Sequence, residues 1–554
     1  MALRRSLSAL TLVLPVALGA HAVPLPRAAE PAQPVLPDVT QVRDFQPQPV
    51  SWWPYVINAG WGGGRGGPER LSGWTAENWP LLDYLDRSAD FTSNEWLTHR
   101  GIWYEVYGHN EYQETIHFVF DGARKLFWDN GFAQDFNGER VLSPEYNNSQ
   151  AWWKERVGWD AYIVCNNAPR WSAVIDYDLI SAAALGHATS QDNIGGPTSR
   201  IGAGSHGRYC DFCSRRFFDY LARTKRLPGF RAKYKAIRDY VQATQMDVIK
   251  QLPPFGKWTF DPPQAEIIAK LCEPPVMNQY QKFLYLSHLS NWIAYYGDCK
   301  LTAARLGREL DVHGNQGGSA IGAIPYQVAL GDFVDTVWFE SQGISAYDMF
   351  KYHWNNADGA LRYVMGRAMT RGTKPFMSML KFHQPTPDVV EHEIAECCAG
   401  GGVLFPYQDG FEKQPELRKL MTDYYRFRHA HRALYQPQNT QPLSDVGLIY
   451  SIPSLMYHDY MYSVSKPLCA FEGIARAMQE GHIQYDVVIM NHPEIYRDHW
   501  GIEELMRYPV LVLPAAECLS EAQIAVLTTY LKQGGTLAVT GDCGTRDEDN
   551  VPRA

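Results

Sequence analysis

From residue 51 to about 407 the chain alternates short β-branched or aromatic runs with longer stretches whose apolar residues recur at helical spacing. Eight runs read as strands: 55–58, 102–107, 161–165, 187–192, 312–315, 334–340, 376–383 and 403–406. Helical patterns at 114–128, 173–185, 211–223, 231–251, 278–296, 346–369 and 389–398 lie between most of them. Strands alternating with helices predict parallel β/α construction, and eight such units over more than ~250 residues predict a closed (β/α)8 barrel, spanning 50–434. A helix over 412–433 then leads into 435–444, whose Gln, Pro and Asn read as a linker. Beyond it, strands at 446–450, 486–490, 510–513 and 536–540 and helices at 471–479 and 520–532 predict a smaller doubly wound domain over 445–554. Ser520 supplies the start of its last helix and Gly534-Gly535 the stop. Few residues follow the last strand, which leaves room for one more element. The expected fold class is α/β throughout.

The first residues follow a different pattern. Arg4 and Arg5 give a cationic start, 7–19 is an apolar run interrupted by Pro15, and Ala20-His21-Ala22 puts small residues around a cleavage point. This is the pattern of a secretory signal, too short for a spanning helix. It predicts removal of 1–22, a secreted or periplasmic protein, and no membrane association afterwards. Residues 23–49, rich in Pro, Ala and Gln, read as an extended leader.

Composition narrows the class. With 554 residues, 45% hydrophobic and 20% charged, the chain is too apolar for disorder and long enough for two or three globular units. Lys and Arg total 51 against 60 Asp and Glu, and no basic run extends beyond Arg4-Arg5, so a nucleic-acid partner is not expected. Ten cysteines are too thinly spread for a disulfide scaffold. Cys210 and Cys213 form a C-x2-C pair, able to hold half a zinc site or to close a small disulfide. No second such pair completes four ligands, so a staple or plain packing is expected and no metal. Of 17 tryptophans, twelve fall between Trp52 and Trp171.

In a β/α barrel the side chains at the C-terminal strand ends converge on one mouth. Here those ends carry Asn58, then Glu105 and Tyr107, Asn167, Asp192 with Asn193, Asn315, Glu340, and His383, with Trp53, Trp61, Trp103, Trp171 and Trp338 nearby in sequence. Amides and carboxylates supply paired donors and acceptors for sugar hydroxyls, and flat aromatic faces cover the C–H face of a sugar ring. Glycosidic cleavage needs two carboxyl groups, one ionised and one protonated. Asp192, ending the fourth expected strand, is the candidate nucleophile. Glu340, ending the sixth, is the candidate acid/base, with one strand between them. Asp192-Asn193-Ile194-Gly195-Gly196 also suits a turn, Glu340 also suits the solvated end of a core strand, and Glu105 is the reserve carboxylate. Asn58, Trp61, Glu105, Tyr107, Asn167, Asn193, Asn315, Trp338 and His383 are the expected substrate contacts.

Two patches resemble a known group. Tyr209-Cys210-Asp211-Phe212-Cys213, with Phe217, Phe218 and Tyr220-Leu221, resembles the Cys-rich helix start after strand four in proteins related to glycoside hydrolase family 42, the β-galactosidases with an attached trimerisation domain. The run from Tyr508 to Pro514, Leu519-Ser520-Glu521 and the run from Leu531 to Leu537 are similar to that family's glutamine-amidotransferase-like domain. The resemblance implies a barrel followed by that domain, and a homo-oligomer through it. The family's Asn-Glu pair after strand four and its Glu on strand seven have no counterpart: the matching positions hold Asp192-Asn193 and Phe382-His383. Cys518 lacks the glycines of a G-x-C-x-G elbow, so glutaminase activity is not implied. The combined expectation is a secreted glycosidase acting on an oligo- or polysaccharide without cofactor, retaining if its carboxyl groups lie ~5–5.5 Å apart. A non-catalytic carbohydrate-binding barrel and a polysaccharide lyase are the alternatives.

Overall fold

A computed structural model describes residues 38–48, 56–59, 102–109, 133–140, 165, 167–168, 188–192, 209–251, 266–267, 270–271, 274–307, 309–314, 325–342, 357–381, 386–406, 415–435, 439, 442–458 and 466–553. For 56–59, 102–109, 188–192, 338–342 and 379–381 it is the backbone that is described. Strands β1 (Val56–Ala59), β2 (Ile102–His109), β3 (Ala188–Asp192) and β4 (Asp311–Gly314) form one parallel ladder in that order. Strands β5 (Val337–Gln342), β6 (Phe376–Lys381) and β7 (Val403–Pro406) form another. β4 adjoins β5 and β7 adjoins β1, so the two ladders close into a β/α barrel.

The run at 161–165 has no place in that ring between its expected neighbours. β2 and β3 are bonded directly, from Glu105↔Ala188 to His109↔Asp192. Asp192 therefore ends the third described strand and Glu340 lies on the fifth. One strand, β4, still separates them. Of that run only Cys165 is described, and it is buried against other thiols outside any ladder.

Helix α1 (Asp211–Thr224) and helix α2 (Pro275–Arg305) follow β3. Between them the expected single helix at 231–251 breaks into Phe230–Lys233, Ile237–Thr244 and Met246–Ile249. The Asp239 carboxylate accepts the N–H groups of Lys235 and Ala236, which starts a new helix where the old one would have continued. α2 is buried on nearly every side from Met277 to Trp292, including Gln281, Lys282, Ser287 and Asn291. A helix on the rim of a barrel would normally keep one polar face in water. This one is covered by the barrel, by α1 and by the C-terminal segment, and its polar side chains are bonded inside. Trp292 donates its indole N–H to the Phe333 carbonyl at 2.6 Å.

Residues 38–48, expected within an extended leader, dock on this helix. Val39–Asp44 forms a 3-10 turn capped by Asp38, Val39 and Val42 are buried, and Phe45 stacks on Phe333 with ring centroids 5.6 Å apart. Their apolar residues recur at a three-residue spacing, which a reading dominated by proline content passes over.

Helix α3 (Ala357–Thr370) precedes β6, α4 (Pro387–Gly400) precedes β7, and α5 (Pro415–Ala430) follows it. α3 and α4 pack closely because Gly400 has no side chain: a Cβ there would meet Tyr363 Cβ at 2.3 Å. The second sheet has β8 (Val446–Ser451), β9 (Tyr485–Met490), β10 (Val510–Pro514) and β11 (Thr536–Thr540), all parallel in the order β11-β10-β8-β9, with α6 (Lys466–Glu480) and α7 (Glu521–Lys532) in the crossovers. Ser520 caps α7 as the sequence predicts. Its hydroxyl accepts from the Gln523 N–H and Gln523 Oε1 accepts from the Ser520 N–H, a reciprocal capping box. Edge strand β9 is covered by barrel helix α3, through Arg367 on Asp486 at 2.8 Å. Barrel and second sheet belong to one compact unit, Leu36–Ala554.

Candidate functional site

Parallel register fixes which strand positions share a face, because side chains alternate with period two. Tyr107 pairs with Ser190 and His109 with Asp192, while Ser190 pairs with His313. Positions Trp103, Glu105, Tyr107, Asp192, Asp311 and His313 therefore fall on one face of the ladder. Asn58 pairs with Tyr104, so it falls on the other face. Beside β4, the Thr336 hydroxyl donates to Asp311 Oδ2 at 2.5 Å. Thr336 stands in the bend just before β5, along which Trp338 and Glu340 share one parity. The candidate position Asp192 thus shares the face that bears Asp311 and His313, and the Glu340 position lies on the next strand beyond them. Trp61, Asn193, Asn315 and His383 lie outside the described residues, as do Trp53 and Trp171.

The joint between β4 and β5 is densely polar. His313 Nδ1 lies 2.7 Å from Asp311 Oδ1, both fully buried. With that carboxylate accepting the Nδ1 proton, Nε2 becomes the basic nitrogen of the ring. On the opposite side of the strand, Asp335 accepts the Val312 N–H at 2.9 Å, the Lys300 ammonium at 2.5 Å and the Tyr296 hydroxyl. Burial raises the Asp335 carboxyl to about 6 even against the Lys300 charge. The pair His313 and Asp311 was missed in the sequence, where Asp-Val-His reads as the start of a short strand. The available signal was the i, i+2 spacing, which puts both side chains on one face.

Asn167, an expected sugar contact, is 2% exposed. Its Oδ1 accepts from Arg216 at 2.6 Å and from the Ser287 hydroxyl at 2.5 Å, and its Nδ2 donates to Cys213 Sγ at 3.3 Å. Arg216 also donates to Asn291 at 2.7 Å, and burial lowers the guanidinium to about 10. This network joins the segment at 165–168 to α1 and α2. It ties Asn167 into the interior beside a cluster of three buried thiols.

Cys165 Sγ lies 3.2 Å from Cys210 Sγ and 3.5 Å from Cys213 Sγ. All three sulfurs sit within 4.8 Å of one another. The C-x2-C pair alone lacked partners; the fold brings a third thiol from 45 residues upstream. Three buried soft donors at this spacing fit a zinc-like ion as three of its four ligands, and the fourth is not among the described residues. The Cys210 thiol is pushed well above its ordinary value by hydrogen bonding to Cys165 and Cys213 and by burial. Bound metal would favour the thiolates and act structurally, tying Cys165 to the start of α1.

No protein-family model matches the chain, and no curated protein matches it. Solved structures do. A β-galactosidase from Bacillus circulans sp. alkalophilus aligns over 91% of this chain and 73% of its own at 12% identity, with a TM-score of 0.50. A β-galactosidase from Rahnella sp. R3 aligns over 87% of this chain and 68% of its own, also at 12% identity and a TM-score of 0.50. What is shared at this identity is the fold, an α/β barrel of the kind those hydrolases use.

Proposed function

We propose that the chain is a secreted glycoside hydrolase that cleaves O-glycosidic bonds in an oligo- or polysaccharide, with Asp192 as nucleophile and Glu340 as acid/base. The observation that carries this reading is the placement of those two positions toward the C-terminal ends of barrel strands β3 and β5, with β4 between them. Two carboxyl groups across a mouth are what the reaction requires, and it needs no cofactor. Glu105 and Tyr107 share the face of Asp192, and with Trp338 on β5 they would contact the sugar. The barrel likeness to two β-galactosidases supports the reaction class, while the linkage and the sugar are open; α-fucosides and α-galactosides join β-galactosides as first substrates to try. Retention of configuration is the proposed outcome, and the second sheet is the proposed contact for a homo-oligomer.

The test is a panel of nitrophenyl glycosides and of plant and microbial glycans with the full chain, alongside Asp192→Asn and Glu340→Gln. Hydrolysis that both variants abolish supports the reading; wild-type turnover in either variant removes that residue from it. A second reading, a lyase acting on uronate-containing glycans, draws on the Asp311–His313 pair, a carboxylate–imidazole contact of 2.7 Å on the face of Asp192. Absorbance of an unsaturated uronate without reducing-end hydrolysis products would select it. Glycan binding without either product would select the non-catalytic barrel.

A further inference from the structure

A cavity of about 680 Å³ lies at the opposite end of the barrel from the Asp192 and Glu340 positions. Its walls include Lys374 and Phe376 at the start of β6, Gly400 and Gly401 just before β7, and the last turn of α3. The second sheet closes it with edge strand β9 and the segment from His499 to Tyr508. The volume is that of a pocket for a ring-sized small molecule.

Its charge is unbalanced. Arg367, Arg371, Lys374 and Arg507 line it against two carboxylates, Asp486 and Glu504. Both carboxylates are already bonded, Asp486 to two other lining residues, which leaves the excess of positive charge to the other cations. Asp486 takes Arg367 at 2.8 Å and the Tyr508 hydroxyl at 3.1 Å, and Glu504 accepts the Gly501 N–H at 2.7 Å in a helix cap. Asp332, behind the wall, is 2.5 Å from His499 Nε2 and 3.6 Å from Arg371. Arg507 is exposed and, among the described residues, Arg371 meets a carboxylate only at that long distance, so both keep guanidinium N–H groups for an anion.

Arg371 also stands in a costly conformation. Its φ of 53° is in the left-handed region, followed by Gly372 at 62°. For a non-glycine residue that conformation is strained, and a glycine would remove the strain along with the guanidinium. The remaining walls are apolar or aromatic. Trp500 is pinned by its indole N–H on the Ile489 carbonyl at 2.8 Å, and the Tyr435 ring is backed by Arg428 at 3.7 Å.

We infer that this cavity is a second binding site, separate from the barrel mouth, for a small organic anion: one carboxylate or phosphate carried on a six-membered ring. Arg371 and Arg507 take the anionic group and Trp500 takes a face of the ring. Glucuronate and glucose 6-phosphate supply the two versions of the anion, and glucose is the neutral control.

Titration calorimetry on the full chain should show saturable binding of at least one acid, one per chain, and none of glucose. Arg371→Gly and Arg507→Ala should each weaken binding by about tenfold or more, as loss of a charge-assisted contact predicts. Arg371→Gly should melt no lower than the wild type, because it relieves the left-handed strain, so its loss of binding cannot come from misfolding. The acid that binds identifies the anionic group. Failure of both acids to bind, equal binding of glucose, or undiminished binding in both variants would overturn the inference.

Discussion

His313 Nδ1 and Asp311 Oδ1 lie 2.7 Å apart on one face of β4, the strand between those that carry Asp192 and Glu340. A buried carboxylate on Nδ1 fixes the imidazole tautomer and stabilises the cation if Nε2 takes a proton. On whichever substrate the wild type turns over, His313→Gln should lower kcat by roughly 10²-fold and remove one limb of the pH profile. Asp311→Asn should shift that limb to lower pH, since the imidazolium loses its carboxylate. A pH profile unchanged in shape in both variants would mean that the pair only braces the β4–β5 joint.

Asp192→Gly and Glu340→Ala separate the two carboxylate roles. Small anions such as azide or formate can replace a missing nucleophile or a missing acid/base, and the product tells which was lost. Asp192→Gly should regain turnover with azide and release a glycosyl azide of inverted configuration. Glu340→Ala should regain it with retention. Absence of rescue in both, together with full rescue in Glu105→Ala, would transfer the assignment to the reserve carboxylate.

Much of this arrangement was legible in the sequence because it depends on period and punctuation. The four strands of the second sheet and the Ser520 cap follow from short β-branched runs and from hydroxyl and glycine signals, which act locally. The barrel was legible as an alternation, but the place of one run in it was not. Composition alone does not separate a strand from an apolar segment of another kind, so 161–165 reads as a strand although its last residue belongs to the thiol cluster. Long-range convergence left the weakest trace. Nothing near Cys210 announces Cys165, and nothing near Lys282 announces Asp549, because those meetings are made by the packing of α1, α2 and the C-terminal segment. Asn58 shows the remaining gap: being the last polar residue of a run did not fix its parity, and pairing with Tyr104 puts it on the face opposite Glu105.

The thiol cluster predicts a metal content. Elemental analysis of protein purified without chelator should find about one zinc per chain, and Cys165→Ser should lower this several-fold while lowering the melting temperature. A strong chelator should reproduce the melting change in the wild type and leave Cys165→Ser unaffected. Absence of zinc, with peptide mapping that finds Cys165 linked to Cys210 or Cys213, would show instead that the cluster holds a disulfide.

Glu396 on α4 predicts a pH dependence of stability. Burial, then the neighbouring Glu393 charge, raises its carboxyl to about 7, and the His392 contact at 3.3 Å does not offset them. The folded state therefore holds a proton that the unfolded state releases near its ordinary value of about 4.5. Between those values folding takes up a proton, so this group costs stability as pH rises and the cost is complete above about 7. Glu396→Gln should be more stable than the wild type at pH 8, by an amount on the order of 1–3 kcal/mol, with the difference disappearing near pH 4.5. Urea midpoints at the two pH values measure it. A constant difference would assign the effect to packing.

Lys282 is fully buried in α2, yet its ammonium reaches out of the barrel to Asp549 and, at 3.3 Å, to Glu494. Arg226 reinforces both acids, at 2.9 Å from Glu494 and 3.4 Å from Asp549, and His492 stands 3.3 Å from Asp549. Burial alone would raise the Asp549 carboxyl, but the His492 hydrogen bond and the Lys282 charge hold it well below the usual carboxylate range. Burial also lowers Lys282 itself. Removing one member of such a group leaves uncompensated charge, so Lys282→Met should destabilise the chain by about 3–5 kcal/mol. Removing its partner as well should recover part of that loss, because the methionine then packs beside a neutral amide. The double variant Lys282→Met with Asp549→Asn should thus be more stable than Lys282→Met alone, with a coupling energy above about 1 kcal/mol in a double-mutant cycle. If the pair joins the barrel to the C-terminal segment, Lys282→Met should also expose residues 546–553 to protease under native conditions, and the double variant should protect them. Additive effects with unchanged cleavage would show that the contact between barrel and second sheet is carried by the α3–β9 packing without help from this charge cluster.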